Sequence, residues 1–199
     1  MPEFKVHQRK TSASRKAQLI EIAAKIFVEE GYRETGIERI LKQAGLTGPA
    51  LYRHFSSKQE ILDTICIGEM RHILDLALEV QSEKHLDAEE MLRKLIRTRL
   101  DYVFGPMGNS SMLVISQRAH LSPAAREQVL AMQREFRAIC GEMLKKIRPN
   151  ISNSESNVII FATQNVLISM MWRSKGRAML SESDLKNLLE KMMWNTLLG

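Results

Sequence analysis

Between Thr35 and Lys58 the chain reads TGIERILKQAGLTGPALYRHFSSK, and this stretch constrains the fold more than any other. Thr35-x-x-Glu38 has the form of a capping box that starts a helix, and Gly45 stops that helix by taking φ > 0. Thr47 is placed to cap the next helix, with Pro49 in a first turn where a missing N–H costs nothing. Ser56-x-x-Gln59 and Ser57-x-x-Glu60 both propose the start of a further helix. Upstream, Ala17, Ile20, Ala23, Ala24, Phe27 and Val28 recur at helical spacing from Ser14 to Glu30, and Gly31 closes that run. Four punctuated helix starts in so short a stretch predict an all-α chain.

The remainder reads the same way. The fourth helix continues to about Gln81, long enough to join two modules. Asp87-x-x-Glu90 opens another that runs to about Phe104, where Gly105-Pro106 breaks it, and residues 107–119 form a less regular, mostly apolar piece. Ser122-Pro123 starts a long helix to about Ile147, Ser152-x-x-Glu155 the next to about Trp172, and Ser183 to Leu198 the last. Aromatic residues at 6% weigh against extended β structure. The predicted division is a basic disordered tail over 1–14, a helix-turn-helix unit over 15–60, and a larger helical unit over 61–199.

A helix-turn-helix needs a bracing helix, a sharp turn, and a second helix that offers its N-terminal residues to base edges. Ala44-Gly45-Leu46 supplies the turn, and Ile37, Ile40, Leu41, Leu51 and Phe55 supply a small core locking the two helices together. The base-facing residues are then Thr47, Gly48, Pro49, Ala50 and Arg53, with Thr35 and Arg39 beside them at the groove. Tyr52, His54 and Lys58 are placed for phosphate oxygens. Charge supports an anionic partner: of a formal +6, four net positive charges fall within residues 1–20 (Lys5, Arg9, Lys10, Arg15 and Lys16 against Glu3). That tail reads either as a phosphate-tracking arm or as a solvated terminus.

Residues 15–62 resemble the DNA-binding domain of TetR-family transcriptional regulators. The match runs continuously through Phe27, Gly31-Tyr32, Thr35, Ile37, Ile40, Ala44-Gly45-Leu46-Thr47 and Leu51-Tyr52-x-His54-Phe55-x-Ser57-Lys58-x-x-Ile61-Leu62. The resemblance implies that Tyr52, His54 and Lys58 hold the DNA backbone, and that the turn from Thr47 to Ala50 reads bases. It departs from the family at Gly36, where Ser or Thr is common, so a capping or backbone-contact group is missing. Gly48-Pro49-Ala50 offers few donors, which shifts specificity toward thymine methyls and DNA shape.

Of the 12 methionines only Met1 precedes residue 70. Methionine adapts to irregular apolar space, so a ligand cavity is predicted from Met70, Met91, Leu95, Tyr102, Met107, Met112, Ile115, Phe136, Met143 and Phe161, with ordinary core packing as the alternative. The last two helices carry apolar residues over too wide an arc for one small core. Phe161, Ile168, Trp172, Leu188, Leu189, Met192 and Met193 are therefore expected at a two-fold homodimer interface. The stretch Gln117-Arg118-Ala119-His120-Leu121-Ser122-Pro123, together with Met171-Trp172-Arg173, resembles TetR regulators of lipid and acyl-CoA catabolism. That resemblance implies a fatty acid or acyl-CoA effector, with Arg118, Arg93 or Arg97 meeting a carboxylate or phosphate.

No catalytic constellation is present in the sequence. The five histidines show neither metal-ligand spacing nor a partner nucleophile, and no Gly-rich phosphate loop occurs, so no enzyme, metal or cofactor is expected. Cys66 and Cys140 are isolated within apolar patterns, which points to a reducing cytoplasm. The most apolar segment, Val158 to Trp172, is interrupted by Thr163, Gln164, Asn165 and Ser169 and falls short of the ~20 residues of a membrane span. The expected partners are palindromic double-stranded DNA, a small effector and a second copy of the chain. The alternative is a helical small-molecule or protein-binding bundle that touches nucleic acid nonspecifically.

Overall fold

The computed structural model describes residues 12–105, 108–174 and 180–198; the side chains of Asn109 and of residues 168–174 are not described. Met107 and the side chains of Ile168 and Trp172, three of the expected ligand or interface groups, thus lie outside the described residues. What is described is helical throughout: α1 (Ser12–Glu30), α2 (Ile37–Ala44), α3 (Gly48–Tyr52), α4 (Lys58–Ser82), α5 (Ala88–Phe104), α6 (Gly108–Ser116), α7 (Pro123–Ile147), α8 (Asn153–Ser174) and α9 (Glu182–Leu198), with a 3₁₀ turn at Arg118–His120.

Most of these helices begin where local chemistry places them. The Ser57 hydroxyl accepts from the Glu60 N–H at 3.1 Å, while the Glu60 carboxylate accepts from the Ser56 N–H at 2.6 Å. Asp87 and Glu90 form a complete capping box, and Ser152 and Glu155 exchange the same two bonds at the head of α8. The α2 helix stops at Gly45, whose φ of 63° and ψ of 37° put it in the left-handed region, and Leu46 N–H reaches back to Leu41 O at 3.0 Å. Two expectations differ. Helix α1 already includes Ser12, Ala13 and Ser14, three residues of the predicted tail. Helix α2 is capped by Gly36 without a side-chain bond, so Thr35 and Glu38 form no capping box.

Helices α1 to α3 enclose a small core of Leu19, Phe27, Ile40, Leu51 and Phe55, each no more than 1% exposed. Helix α4 begins in that core with Ile61 and Leu62 and continues into the larger bundle through Ile65, Cys66, Met70, Leu74, Ala77 and Val80. There it packs against α5, α6 and α7, while α8 and α9 lie against each other and against α7 and α5 respectively. The buried residues form one contiguous cluster from Leu19 to Leu197. The core of α1–α3 is therefore continuous with that of the bundle. Among the described residues no helix is long and apolar enough to cross a membrane, and no group of side chains could hold a metal ion.

Candidate nucleic-acid interface and effector cavity

The exposed tip of the helix-turn-helix is made by Thr47, Pro49, Tyr52 and Arg53. Tyr52 is 56% exposed even though Leu51 and Phe55 on either side are sealed in the core. Thr47 is the N-cap residue of α3, yet its hydroxyl makes no cap hydrogen bond, so it stays free to point outward. Neither Arg53 nor the Tyr52 hydroxyl has a hydrogen bond or ion pair among the described residues. Gly48 and His54 are half-buried at the same edge. Lys16, counted among the basic residues near the N-terminus, sits on α1 with its ammonium 5.0 Å from the centre of the Phe55 ring. It adds a cation to the flank of α3.

Four of the predicted contact residues are placed otherwise. Ala50 is buried at 7% exposure, on the inward side of α3 with Leu51. Thr35 is 1% exposed, and its hydroxyl and N–H both bond to Gly31 O, at 2.6 and 3.2 Å. It locks the turn after α1 instead of facing a groove. Lys58 directs its ammonium at three backbone carbonyls, Tyr32 O (2.8 Å), Thr35 O (2.8 Å) and Arg33 O (3.3 Å), and lies 4.6 Å over the Tyr32 ring. An ammonium has three protons, so none is left for a phosphate. Arg39 is tied back to α1 by Glu30 at 2.7 and 2.8 Å and to Gln43 at 3.0 Å.

In the bundle a cavity of about 240 Å³ opens among α4, α5, α6, α7 and α8. Met70, Ile115, Phe136 and Phe161 line it as predicted. Leu95 and Phe136 line a smaller apolar cavity of about 50 Å³ between α5, α7, α8 and α9. Met91, Met112 and Met143 line neither; Met112 and Met143 are sealed in the core, where unbranched thioethers fill gaps between helices. Tyr102 is half-buried with its hydroxyl donating to Glu69 at 2.6 Å and its ring 4.3 Å from that of His72. Arg93 and Arg97 lie outside both cavities: Arg93 bonds Glu89 and covers the Trp194 ring at 3.7 Å, and Arg97 bonds Glu190 at 2.8 Å. Arg118 does line the larger cavity.

Sequence reasoning missed a buried polar cluster. Glu69 of α4 is almost fully buried and accepts from the hydroxyls of Tyr102 and Ser111. Burial, followed by the Glu69 charge, raises the Tyr102 pKa. Arg99 of α5 lines both cavities, and its Nη1 is shut away from solvent without a partner among the described residues. Burial lowers its pKa against the opposing influence of Glu69. A legible signal existed: Glu69 stands one helical turn from Ile65, Cys66 and Ile73, and Arg99 one turn from Leu95, Ile96 and Val103. A charge at a core-face position is exceptional unless it is paired or functional.

The α6–α7 turn joins this cavity to the DNA-reading unit. Arg118 enters the cavity, and two residues on, His120 Nε2 accepts from Arg33 Nε at 2.7 Å. His120 O accepts from Gln59 Nε2 at 2.8 Å, and Ser122 N–H donates to Asp63 Oδ1 at 3.1 Å. Gln59 and Asp63 belong to the first turns of α4, and the Tyr32 ring lies 5.5 Å from that of His120.

Among the described side chains of the last helices, the exposed large apolar ones are Val158 (66%), Phe161 (58%), Leu188 (43%) and Leu198 (36%), with Met192 half-buried. Leu189 and Met193, predicted at an interface, instead pack into the chain's own core. They fall on the face of α9 that α8 and α5 cover.

A family model for bacterial regulatory proteins of the tetR family matches residues 19–65, the segment that builds α1–α3 and the start of α4. The chain is 32% identical over 91 residues to the HTH-type transcriptional activator FasR of Mycolicibacterium smegmatis, covering 45% of this chain and 40% of that protein. It therefore spans less than half the length of that relative. It is 30% identical over 101 residues to the uncharacterized HTH-type transcriptional regulator TtgW of Pseudomonas putida, covering 49% of this chain and 72% of that one. The fold superposes on the crystal structure of AibR in complex with isovaleryl coenzyme A and operator DNA, with a TM-score of 0.72 and 20% identity over 90% of this chain and 98% of that one. With an open-tipped helix-turn-helix on a helical bundle, the tetR model over that same unit, and a regulator matched over most of its length, the chain belongs to the TetR family of bacterial regulatory proteins.

Proposed function

We propose that this chain is a ligand-responsive transcriptional regulator that binds a palindromic operator as a homodimer, most simply as a repressor, and is released by a small apolar or amphipathic acyl compound. The observation that carries the reading is the Thr47–Arg53 tip, whose polar side chains face outward unpartnered while Ala50 and Leu51 between them are locked in the core. A structural surface of a bundle does not need a bulky exposed tyrosine beside an unpaired arginine. A helix tip entering a major groove does: Arg53 bonds guanine, and Tyr52 and His54 hold the rim.

The exposed Val158, Phe161 and Leu188 supply a surface for a second copy, and a dimer sets two tips about one helical turn, ~34 Å, apart. The acyl class rests on the cavity, which combines apolar walls with arginines, and on AibR, whose crystals hold isovaleryl coenzyme A. An effector that draws on Arg118 moves the α6–α7 turn, and His120, Gln59 and Asp63 carry that movement to Arg33 and the base of α4. To empty an operator the effector must favour the released form by a coupling free energy of a few kcal/mol.

Selection of duplexes from a random library, followed by footprinting, tests the assignment. The expected result is two protected half-sites related by a two-fold axis, retained against excess random DNA. Binding that random DNA abolishes would favour the nonspecific helical bundle. Light scattering at micromolar concentration should give twice the chain mass, and a monomer would refute the paired-tip geometry.

A further inference from the structure

We propose that the effector is a compact organic acid with an apolar body, and that Arg99 takes its carboxylate. This deepens the reading above and rests on it for the biological role, but not for the binding site.

Among the described residues that line the cavity, Arg99 is the one with a buried polar atom left without a partner. Its Nη1 is excluded from water and meets no acceptor among the described residues. The nearest carboxylate, Glu69, does not complete it. Glu69 already accepts from the hydroxyls of Tyr102 and Ser111 and forms no ion pair with Arg99. A guanidinium nitrogen shut away without an acceptor is costly, and a planar carboxylate matches a guanidinium fork with two parallel bonds. Glu69 thus has its hydrogen-bond partners and Arg99 does not, and the group that Arg99 lacks is a negatively charged acceptor.

The rest of the cavity gives the ligand its shape. Met70, Ile73, Val103, Val114 and Phe136 make the inner walls apolar, while Arg118 and Arg137 stand nearer the mouth without ion-pair partners among the described residues. Two unpaired cations at an entrance raise the local concentration of anions. At about 240 Å³ the space is below the ~300–1,000 Å³ of drug-sized sites and holds roughly eight water-sized groups. A body of medium chain length fits and a whole coenzyme A does not. A thioester also lacks the second oxygen that a guanidinium fork grips, so the free acid is favoured over its coenzyme A thioester.

The test uses the full-length protein and titration calorimetry with octanoate, methyl octanoate, octyl phosphate and octanoyl coenzyme A. Octanoate should bind about 10–100-fold more tightly than methyl octanoate and octanoyl coenzyme A, the range set by one charge-assisted pair, and at least as tightly as octyl phosphate, whose head can also take the fork but is bulkier than a planar carboxylate. Arg99→Met should remove that advantage while leaving the weak affinity for methyl octanoate unchanged. Arg99→Lys, which keeps the charge and loses the fork, should retain an intermediate preference and guards against misfolding of the first variant. Equal affinity for acid and ester, tighter binding of the phosphate or the thioester, no measurable octanoate binding, or undiminished octanoate binding by Arg99→Met would each overturn the proposal. Footprinting on the same samples separates the two readings. Intact half-site protection without acid binding refutes only the ligand assignment, whereas acid binding without sequence-selective DNA binding refutes only the regulator.

Discussion

Lys58 offers the sharpest test of how this domain is built, because the motif assigns it to DNA and its geometry assigns it to the protein. Replacing it with methionine keeps the unbranched stem and deletes the ammonium. Three carbonyl bonds are lost, two at 2.8 Å and one at 3.3 Å, with the contact over Tyr32. Each bond is worth about 1 kcal/mol net when the freed carbonyl can find water, and the cation–π contact adds about 0.5 kcal/mol. Against these stands roughly 1.5 kcal/mol of side-chain entropy that the methionine, no longer tethered by an ammonium, does not surrender. The balance is a loss of about 2 kcal/mol, which lowers Tm by roughly 4–8 °C in a chain of this size. Thermal melts measure that directly. Fluorescence anisotropy with a mixed-sequence duplex across a salt series measures the alternative, since each phosphate contact contributes ~0.9 to the slope of log K against log salt. With Lys58 occupied by the loop, the slope should stay unchanged. An unaltered Tm together with a slope shallower by ~1.8, one contact per protomer of a dimer, would refute this placement.

Other outcomes follow from the same structure. Gly36→Ser should stabilise the protein by about 0.5–1 kcal/mol in urea denaturation, because Gly36 caps α2 at φ −82° without a side-chain bond and an added Cβ meets nothing within 4 Å. Arg53→Ala should relax preference by about 1–3 kcal/mol at one base pair of the selected operator while leaving Tm unchanged; a footprint identical to the wild type would remove Arg53 from base readout. Burial pushes both cysteine thiols up to about 12, with Asp63 and Glu69 adding to the effect at Cys66. The folded state therefore keeps these protons where the unfolded state has lost them. Stability is full below pH ~8.5 and falls between there and pH 12, by up to about 1.4 kcal/mol per pH unit per thiol. Cys140→Ala should lower that alkaline slope by up to about 1.4 kcal/mol per pH unit, and an unchanged slope would show that other groups govern it.

The elements were legible in the chain because their boundaries depend on groups within a few residues of one another. Glu60 bonds Ser56 and Ser57, and Asp87 with Glu90 and Ser152 with Glu155 exchange hydrogen bonds, each across a single turn. Gly45 ends α2 through its own backbone conformation. Chemistry of that range is written in spacing. Thr35 misled for a related reason: Thr-x-x-Glu also fits a capping box, but its hydroxyl found Gly31 O, and local pattern does not rank the two.

Roles that depend on which helix lies opposite were not legible. Lys58 meets carbonyls 23 to 26 residues upstream, and Glu69 meets Tyr102 at a separation of 33. Leu189 and Met193 turned inward because α5 and α8 happen to cover that side of α9, whereas Val158 and Leu188 have no such cover. Periodicity identifies the apolar stripe of a helix and is silent on what faces it. The unpartnered guanidinium of Arg99, on which the effector chemistry turns, exists only because α4, α5, α6 and α7 converge around it and leave its acceptors out.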